Sequence, residues 1–363
     1  MAVYEVKPAR PAPKEKANIF LWIKKNFLSS PLDIVLTILG ILFLLWLIPP
    51  IISWAFVHAT FEGTTKADYT GTGACWIFIR EKFSLFIYGL YPDALIWRPD
   101  VAFALFFAVA GVFKYLKANF WTKALLVVLY PIIVYILLEG GYFGLKVVNA
   151  SHWGGLLLTL VVASSGIVIS FIFGIILAFG RKSELPIIQK ISVAYIELIR
   201  GVPLITILFM AQVIAPLFFP EGVGIPKLTR AILAIGLFYS AYVAECVRGG
   251  LQSIPKGQYE AADSLGLTYW KKMALVILPQ ALKVSIPNLV GTFICLLQDT
   301  TLVLIVGLFD FLGVIHLAGS DANWLGFDTE GYVFVAVVFW IFCFSLSRYS
   351  KVLENRFNTN NKS

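Results

Sequence analysis

Long apolar runs separated by short basic loops constrain this chain more strongly than any other feature of its sequence. A hydrocarbon core of about 30 Å needs about 20 apolar residues in a helix, at about 1.5 Å per residue. The runs that approach this length are 33–57, 101–116, 124–140, 154–180, 202–219, 231–247, 284–309 and 331–346. We therefore predict an all-α polytopic membrane protein with about eight transmembrane helices, the last five forming its core.

Composition agrees with a membrane protein and argues against the soluble classes. The chain is 59% hydrophobic and 14% charged, whereas soluble domains are roughly 45–50% apolar and about 25% charged. The net charge of +8 does not indicate a nucleic-acid partner, because the basic residues lie in loops between apolar runs. The 4 cysteines and 3 histidines show no paired or ligand spacing, so we predict no disulfide framework, metal site or cofactor.

The distribution of Lys and Arg predicts the orientation in the lipid bilayer. An even number of spans places both termini on one side. Of the 29 Lys and Arg residues, 22 fall in the termini and the loops on that side, and 7 fall in the opposite loops. The basic loops on the side of the termini are 114–123, 181–200 and 248–283. Because basic loops remain cytoplasmic, both termini are predicted to be cytoplasmic.

The runs divide the chain into four parts. A basic arm, 1–32, precedes an N-terminal extension, 33–150, that carries three spans; a transmembrane domain, 151–350, and a short tail, 351–363, follow. Within the extension, the segment from Cys75 to Trp97 is rich in aromatic residues but too charged to span, so we expect it at the interface or folded against the outer face. The next two apolar runs, 101–116 and 124–140, are expected to form a hairpin. Whether the first of them crosses the membrane fully stays open.

The polar stretch 242–279 interrupts the core and has a pattern suited to contact with another protein. Residues 258–265 are predicted to form a short helix. The residues expected on one side of it are Tyr259, Ala262 and Leu265. Acidic residues near its start suit the helix dipole.

A glycine elbow is predicted to follow this helix. Gly266 adopts the left-handed conformation of a C-terminal cap without a Cβ penalty. Thr268 is then predicted to cap a second short helix, which Pro279 closes. The stretch therefore reads as helix, glycine elbow and helix between two spans.

This stretch resembles the cytoplasmic loop of bacterial ABC importer permeases. The shared pattern is Glu260, two alanines, Gly266 and the pair Leu278-Pro279, with Val276 where the family usually has isoleucine. The flanks 196–205 and 240–258 resemble the polar amino acid (histidine/glutamine-type) branch, and 73–79 is similar to the M permease of general L-amino acid importers. An ordinary interhelical loop is the alternative interpretation.

The resemblance implies an inner-membrane permease that contacts an ATPase through this loop. The residues implied in that contact are Tyr259, Glu260, Ala261, Ala262, Ser264, Leu265, Gly266, Leu278 and Pro279. The implied partners are a cytoplasmic ABC ATPase dimer, a second permease that is a related but distinct chain, and a periplasmic amino-acid-binding protein. The implied substrate is an L-amino acid.

Charged residues at membrane depth are candidates for the transport path, because each costs several kcal/mol in lipid and must face protein or water. Asp299 is the leading candidate for substrate contact, with Gln298 and Thr300 beside it. Interhelical hydrogen bonding and support of a gate are rival roles. The other candidates are two pairs with a spacing of three residues, Glu197 with Arg200 and Glu245 with Arg248, each predicted to form an ion pair at the inner mouth.

Catalytic motifs for ATP hydrolysis or nucleophilic attack do not occur in the sequence. The chain is therefore predicted to be a non-enzymatic permease subunit of an ATP-driven importer. Two alternatives remain open at this point: a secondary transporter or channel that works without ATP, and a membrane anchor that binds a protein without passing solute.

Overall fold

The computed structural model describes residues 19–69, 71–115, 120–220 and 224–359. Over these ranges the chain is helical, and β-structure is limited to isolated bridges. The α-helices are α1 (Ile19–Phe27), α2 (Pro31–Ile52), α3 (Trp76–Glu81), α4 (Phe83–Tyr88), α5 (Trp97–Tyr115), α6 (Phe120–Glu139), α7 (Gly155–Arg181), α8 (Pro186–Gly201), α9 (Leu204–Phe209), α10 (Lys227–Ser253), α11 (Lys256–Ser264), α12 (Tyr269–Lys272), α13 (Leu278–Asp299), α14 (Val314–Gly319) and α15 (Asp328–Thr359). The all-α prediction is confirmed. The first 18 residues of the predicted arm and the last four of the predicted tail lie outside the described residues.

Membrane spans account for most of the long helices. Over the described ranges, five helical stretches are long and apolar enough to cross a membrane, and a sixth is counted if the bent pair of α8 and α9 is one span. The five are Pro31–Val57, Gly155–Arg181, Lys227–Ser253, Tyr269–Val306 and Asp328–Asn355. The other two runs of the predicted eight are α5 and α6, of 19 and 20 residues, which pack against each other. That α5 and α6 each cross the membrane fully stays a prediction.

The chain divides into two compact units. The first contains residues 19–63, 67–69 and 71–76 of the described chain, and the second contains residues 64–66 and those from Ile77 onwards. In the first unit the α2 span begins at Ser30, whose hydroxyl accepts a hydrogen bond from the Asp33 amide at 3.1 Å. No residue of α2 is buried, so all of its faces suit a lipid environment.

In the second unit, α10 is the central helix and packs against both α7 and α13. The approach of α7 to α10 depends on small residues: a Cβ on Gly174 would lie 2.5 Å from Val243 Cγ1. Such contacts are typical of helix pairs in lipid, where no hydrophobic effect drives helices together.

The aromatic segment after Cys75 contributes to the core of the second unit from Ile77 onwards. Phe78 on α3 and Phe86 on α4 are fully buried. Phe78 contacts Trp324 and Phe327, with ring centroids 5.8 and 6.2 Å apart, and Phe86 contacts Phe311 at 6.4 Å. The segment is therefore folded against residues 311–327, and its position on the outer face stays a prediction.

Residues 181–200, which the sequence analysis placed in a loop, contain helix α8. Pro186 occupies its first position, where a missing amide hydrogen costs nothing. Its axis meets the helix that starts at Leu204 at 106°. The bend falls at Val202 and Pro203, because a proline disfavours helical geometry in the residue before it, and Val202 is extended with φ −108° and ψ 139°.

Candidate functional site

The predicted helix, elbow and second helix are present at α11, Gly266 and α12. Gly266 has φ +68°, and its amide donates to the Asp263 carbonyl at 2.9 Å. The Leu267 amide donates to the Ala262 carbonyl at 3.3 Å, so the carbonyls at the end of α11 are satisfied by the elbow itself. Lys272 of α12 bonds to the Asp263 carboxylate at 2.6 Å, which fixes α12 relative to α11.

Two side chains attach α11 to the membrane-spanning core. Ala262 is 2% exposed. The Tyr259 hydroxyl donates to the Leu251 carbonyl at 3.2 Å and accepts from Lys182 Nζ, beyond the end of α7, at 3.0 Å. Helix α11 is therefore bonded directly to the residues at the ends of α7 and α10.

The opposite face of the loop is exposed to solvent in the part of the chain that the structure describes. Glu260, Ala261, Ser264 and Gly266 are all exposed. The Ser264 hydroxyl donates to the Glu260 carbonyl at 2.9 Å. Leu265 is 78% exposed, so the prediction that it shares a side with Tyr259 and Ala262 is wrong. It stands at the C-terminal cap, where the chain leaves the helix before the elbow.

The second helix does not end at Pro279, so that prediction is wrong. After α12 the chain passes through a π-helical segment, Met273–Ile277, and continues into α13, giving one helical stretch over Tyr269–Val306. Pro279 is at the second position of α13, and Leu278 at its first, directly after the π segment. The widened π turn leaves amide positions unbonded, which is where a proline is tolerated. Thr268 is the N-cap residue as predicted, but its side chain makes no capping hydrogen bond.

A cluster of ion pairs surrounds Glu245 at the loop end of α10. Glu245 Oε1 is 2.7 Å from Arg181 Nη1, and its Oε2 is 2.9 Å from Arg248 Nη2 and 3.8 Å from Arg200 Nη1. Arg181 also bonds to Glu197 at 3.1 Å. The three guanidinium groups and two carboxylates come from α7, α8 and α10. The cluster therefore joins the ends of three helices beside the α11–α12 loop.

One of the two predicted ion pairs is present in the structure, and the prediction of the other is wrong. Glu245 and Arg248 bond along α10 as their spacing indicates. Within the described residues Glu197 and Arg200 do not pair with each other, because each has a partner on another helix. Both side chains point from α8 toward the ends of its neighbours, and Glu245, with 17% side-chain exposure, is the more buried carboxylate.

Asp299 lies where α13 ends and a tighter 3₁₀ segment, Thr300–Val306, begins. Its carboxylate accepts a hydrogen bond of 2.6 Å from the Tyr239 hydroxyl of α10. Of its neighbours, Gln298 is exposed and lies 3.8 Å from Cys343 Sγ. The Thr300 hydroxyl is buried and donates to a carbonyl of its own helix. Asp299 is thus the member of this trio that is bonded to α10.

Sequence reasoning missed two tyrosines that connect these charged sites. Tyr239, Tyr242, Glu245 and Arg248 follow one another at intervals of three residues along α10, so each side chain lies beside the next one. The rings of Tyr239 and Tyr242 have centroids 5.8 Å apart, and the Arg200 guanidinium lies 5.6 Å from the Tyr242 centroid. A chain of contacts therefore links Asp299, through Tyr239, Tyr242 and Arg200, to the cluster around Glu245. The spacing was the available signal, but aromatic residues in apolar runs are usually assigned to packing.

Arg181 was also missed, since it was counted only as a basic loop residue. It ends α7 and bonds to two carboxylates. Within the part of the chain that the structure describes, no group of three or more His, Cys, Asp or Glu is placed to hold a metal ion.

Comparison with known proteins gives consistent similarities. Residues 170–359, 190 of the 363, match the family model described as binding-protein-dependent transport system inner membrane component. The chain is 53% identical over 355 residues to the inner membrane amino-acid ABC transporter permease protein YhdY of Escherichia coli (strain K12), covering 97% of this chain and 96% of that one.

A second relative is similar over its whole length and a third over part of this chain. The glutamate/glutamine/aspartate/asparagine transport system permease protein BztC of Rhodobacter capsulatus is 37% identical, covering 97% of this chain and 96% of that one. The solved structure of an amino acid ABC transporter with histidines is 32% identical, covering 56% of this chain and 92% of that chain, with a TM-score of 0.49.

Proposed function

This chain belongs to the binding-protein-dependent transport system inner membrane component family, and we propose that it forms part of the path for L-amino acids in an ATP-driven bacterial importer. It is a multi-pass inner-membrane permease subunit, and ATP hydrolysis resides on a partner chain. A substrate-binding protein is the other partner that the family implies. The observation that carries the choice of L-amino acids is the 53% identity, over 97% of the chain, to a protein named as an amino-acid permease.

The exposed face of α11 and the elbow is the proposed contact with the ATPase. Its exposed residues are Glu260, Ala261, Ser264, Leu265 and Gly266. Leu265, at 78% exposure, is an apolar anchor of the kind that binding partners bury. Tyr259 and Ala262 hold the opposite face to the core, and Leu278 and Pro279 lie at the joint with α13. Closure of an ATPase dimer would therefore move α13 through a short, well-bonded connection.

The row of side chains on α10 from Tyr239 to Arg248, with Asp299 bonded to it, is the proposed path or gate. A zwitterionic substrate needs a carboxylate for its ammonium group and donors for its carboxylate, placed away from lipid. Asp299 supplies the carboxylate, with Gln298 and Thr300 flanking it in sequence. Glu197, Arg200, Glu245 and Arg248 support a gate at the loop end, because together with Arg181 they hold the ends of α7, α8 and α10. These ends must separate for solute to leave.

The assembly that we propose contains an ATPase dimer in the cytoplasm, a related but distinct second permease and a periplasmic amino-acid-binding protein. Both termini and the α11–α12 loop are proposed to be cytoplasmic, with 22 of 29 basic residues on that side. The secondary-transporter alternative receives no support from the relative of 53% identity, which is named as an ABC transporter permease.

Reconstitution tests this function. The chain is purified with its ATPase and second permease, placed in proteoliposomes and supplied with the binding protein and a panel of labelled L-amino acids. We expect uptake of at least one of them only when ATP is present on the side of the α11–α12 loop. Uptake that is equally fast without ATP would identify a channel or secondary transporter and overturn the proposal, as would ATP hydrolysis with no uptake of any amino acid.

A further inference from the structure

A cavity of about 780 Å³ lies beside the α11–α12 loop at the end of the α7 span. One wall is apolar and is formed by Ile176 and Phe179 of α7 and Ile188 of α8. The other end contains Lys182 and the ring of Trp270. The cavity therefore has an apolar part and a cationic part, as a site for an amphiphile requires.

The apolar wall lies within the span. Ile176 is five residues before the end of α7 at Arg181, which is about 7–8 Å along the helix axis. Ile176 is 58% exposed and Ile188 is 45% exposed, so this wall is open to an acyl chain. A soluble protein docked on the loop does not reach side chains at that depth, which favours lipid as the occupant.

The polar end of the cavity contains Lys182, whose ammonium group has hydrogen-bond donors available for a ligand. Lys182 Nζ donates to the Tyr259 hydroxyl at 3.0 Å and lies 4.6 Å from the centroid of the same ring. An ammonium group has three donors, so others remain for a ligand. Lys272 also lines the cavity, but its ammonium is bonded to Asp263 at 2.6 Å. The lining includes one carboxylate, Glu184.

Aromatic residues at the rim mark the level of the lipid headgroups. Trp270 is 70% exposed and Tyr269 is 47% exposed, and both line the cavity. Tryptophan and tyrosine favour the membrane interface, because they combine an apolar ring with a polar group. Helix α8 begins at the same level and leaves Ile187 and Ile191 exposed on its surface, as an interfacial amphipathic helix does.

We propose that this cavity binds an anionic phospholipid, with its phosphate at Lys182 and an acyl chain along Ile176 and Ile188. The cavity borders the α11–α12 loop, since Tyr259, Trp270 and Lys272 line it. Because Lys182 also holds Tyr259 of α11, a bound headgroup competes for the same ammonium. Lipid binding thereby biases the position of the helix that carries the proposed ATPase contact.

The test measures lipid preference at Trp270 in the full-length chain. The chain is reconstituted in phosphatidylcholine vesicles that contain either brominated phosphatidylglycerol or brominated phosphatidylcholine. Quenching at Trp270 is the difference between the wild type and Trp270→Phe. We expect a preference for the brominated phosphatidylglycerol that falls about fivefold in Lys182→Gln, the effect of removing one basic residue near an anionic surface.

Two control variants accompany the test. Lys182→Arg keeps the charge and is expected to keep the preference, and Lys271→Gln, an exposed neighbour outside the cavity lining, is expected to leave it unchanged. An undiminished preference in Lys182→Gln would overturn the proposal. So would displacement of the brominated lipid by added inorganic phosphate, which would identify a free-anion site. Loss of quenching when the ATPase assembles would show instead that the partner fills the cavity.

Discussion

The Tyr239 hydroxyl donates a hydrogen bond of 2.6 Å to the Asp299 carboxylate, joining the middle of α10 to the end of α13. Both groups lie within predicted spans, where an unpaired carboxylate costs several kcal/mol. The bond explains how Asp299 is accommodated, and it also orients one carboxylate oxygen while leaving the other for a ligand. Asp299 therefore has two candidate roles, substrate contact and interhelical hydrogen bonding. Substitutions at Asp299 and Tyr239 distinguish between them.

Asp299→Asn is expected to lower amino acid uptake at least tenfold without loss of assembly, because a neutral amide accepts the Tyr239 bond but cannot neutralise an ammonium group. Tyr239→Phe removes the bond and leaves the carboxylate short of one partner, a cost of about 1–3 kcal/mol, seen as a lower unfolding midpoint. Uptake and thermal unfolding are measured for both variants in the reconstituted complex. Normal uptake by Asp299→Asn would assign Asp299 to interhelical bonding alone.

Gly266→Val is expected to uncouple ATP hydrolysis from transport. At φ +68° a residue with a Cβ costs roughly 1–2 kcal/mol, and a β-branched residue is a genuine outlier there, so the direction of α12 changes. The matched control is Gly257→Val within α11, where φ is not positive and a Cβ meets open space. The ratio of amino acid imported to ATP hydrolysed is measured for both. An unchanged ratio in Gly266→Val would disprove the account of the elbow.

Glu245→Gln is expected to destabilise the loop end of the core. It leaves three guanidinium groups close together without their shared carboxylate, which is only 17% exposed, so the loss is larger than for an exposed pair. Glu197→Gln is the control, because its side chain is 58% exposed and an exposed pair contributes about 0–1 kcal/mol. Thermal unfolding in detergent should show a larger drop for Glu245→Gln, and equal drops would contradict a central role for Glu245.

The buried carboxyl group of Asp310 is expected to make the free energy of unfolding depend on pH. It lies outside the spans and is fully buried, and its carboxylate accepts bonds from the Gly313 and Leu312 amides at 2.9 and 3.3 Å. Burial outweighs these bonds and raises its pKa from 3.8 to about 6.

Because the folded protein holds the Asp310 proton more tightly than the unfolded chain, the contribution to stability is complete below pH 4 and is lost as the pH rises through about 6. The change is roughly 3 kcal/mol. Unfolding midpoints measured across this range should fall with rising pH in the wild type. The fall should be smaller in Asp310→Asn, which keeps an acceptor oxygen but does not titrate; an identical pH profile would contradict the assignment.

The sequence by itself determined the features that depend on local chemistry. Apolar length alone predicts the α7 and α10 spans, because a span must satisfy its own backbone hydrogen bonds within one helix. Gly266 predicted the elbow for a similar reason, since its positive φ is a property of one residue. The resemblance carried by Glu260 and its neighbours led to the family that the comparisons show.

Only the tertiary structure decided which partners the charged and aromatic residues have. Spacing along α8 and α10 predicted two separate pairs, whereas Arg181 and Arg200 both approach Glu245 from other helices. Pro279 continues a helix because a π turn precedes it. The physical reason is common to these cases: a side chain bonds to whatever group the packing of neighbouring helices brings within reach, and the sequence of one helix contains no information on that distance.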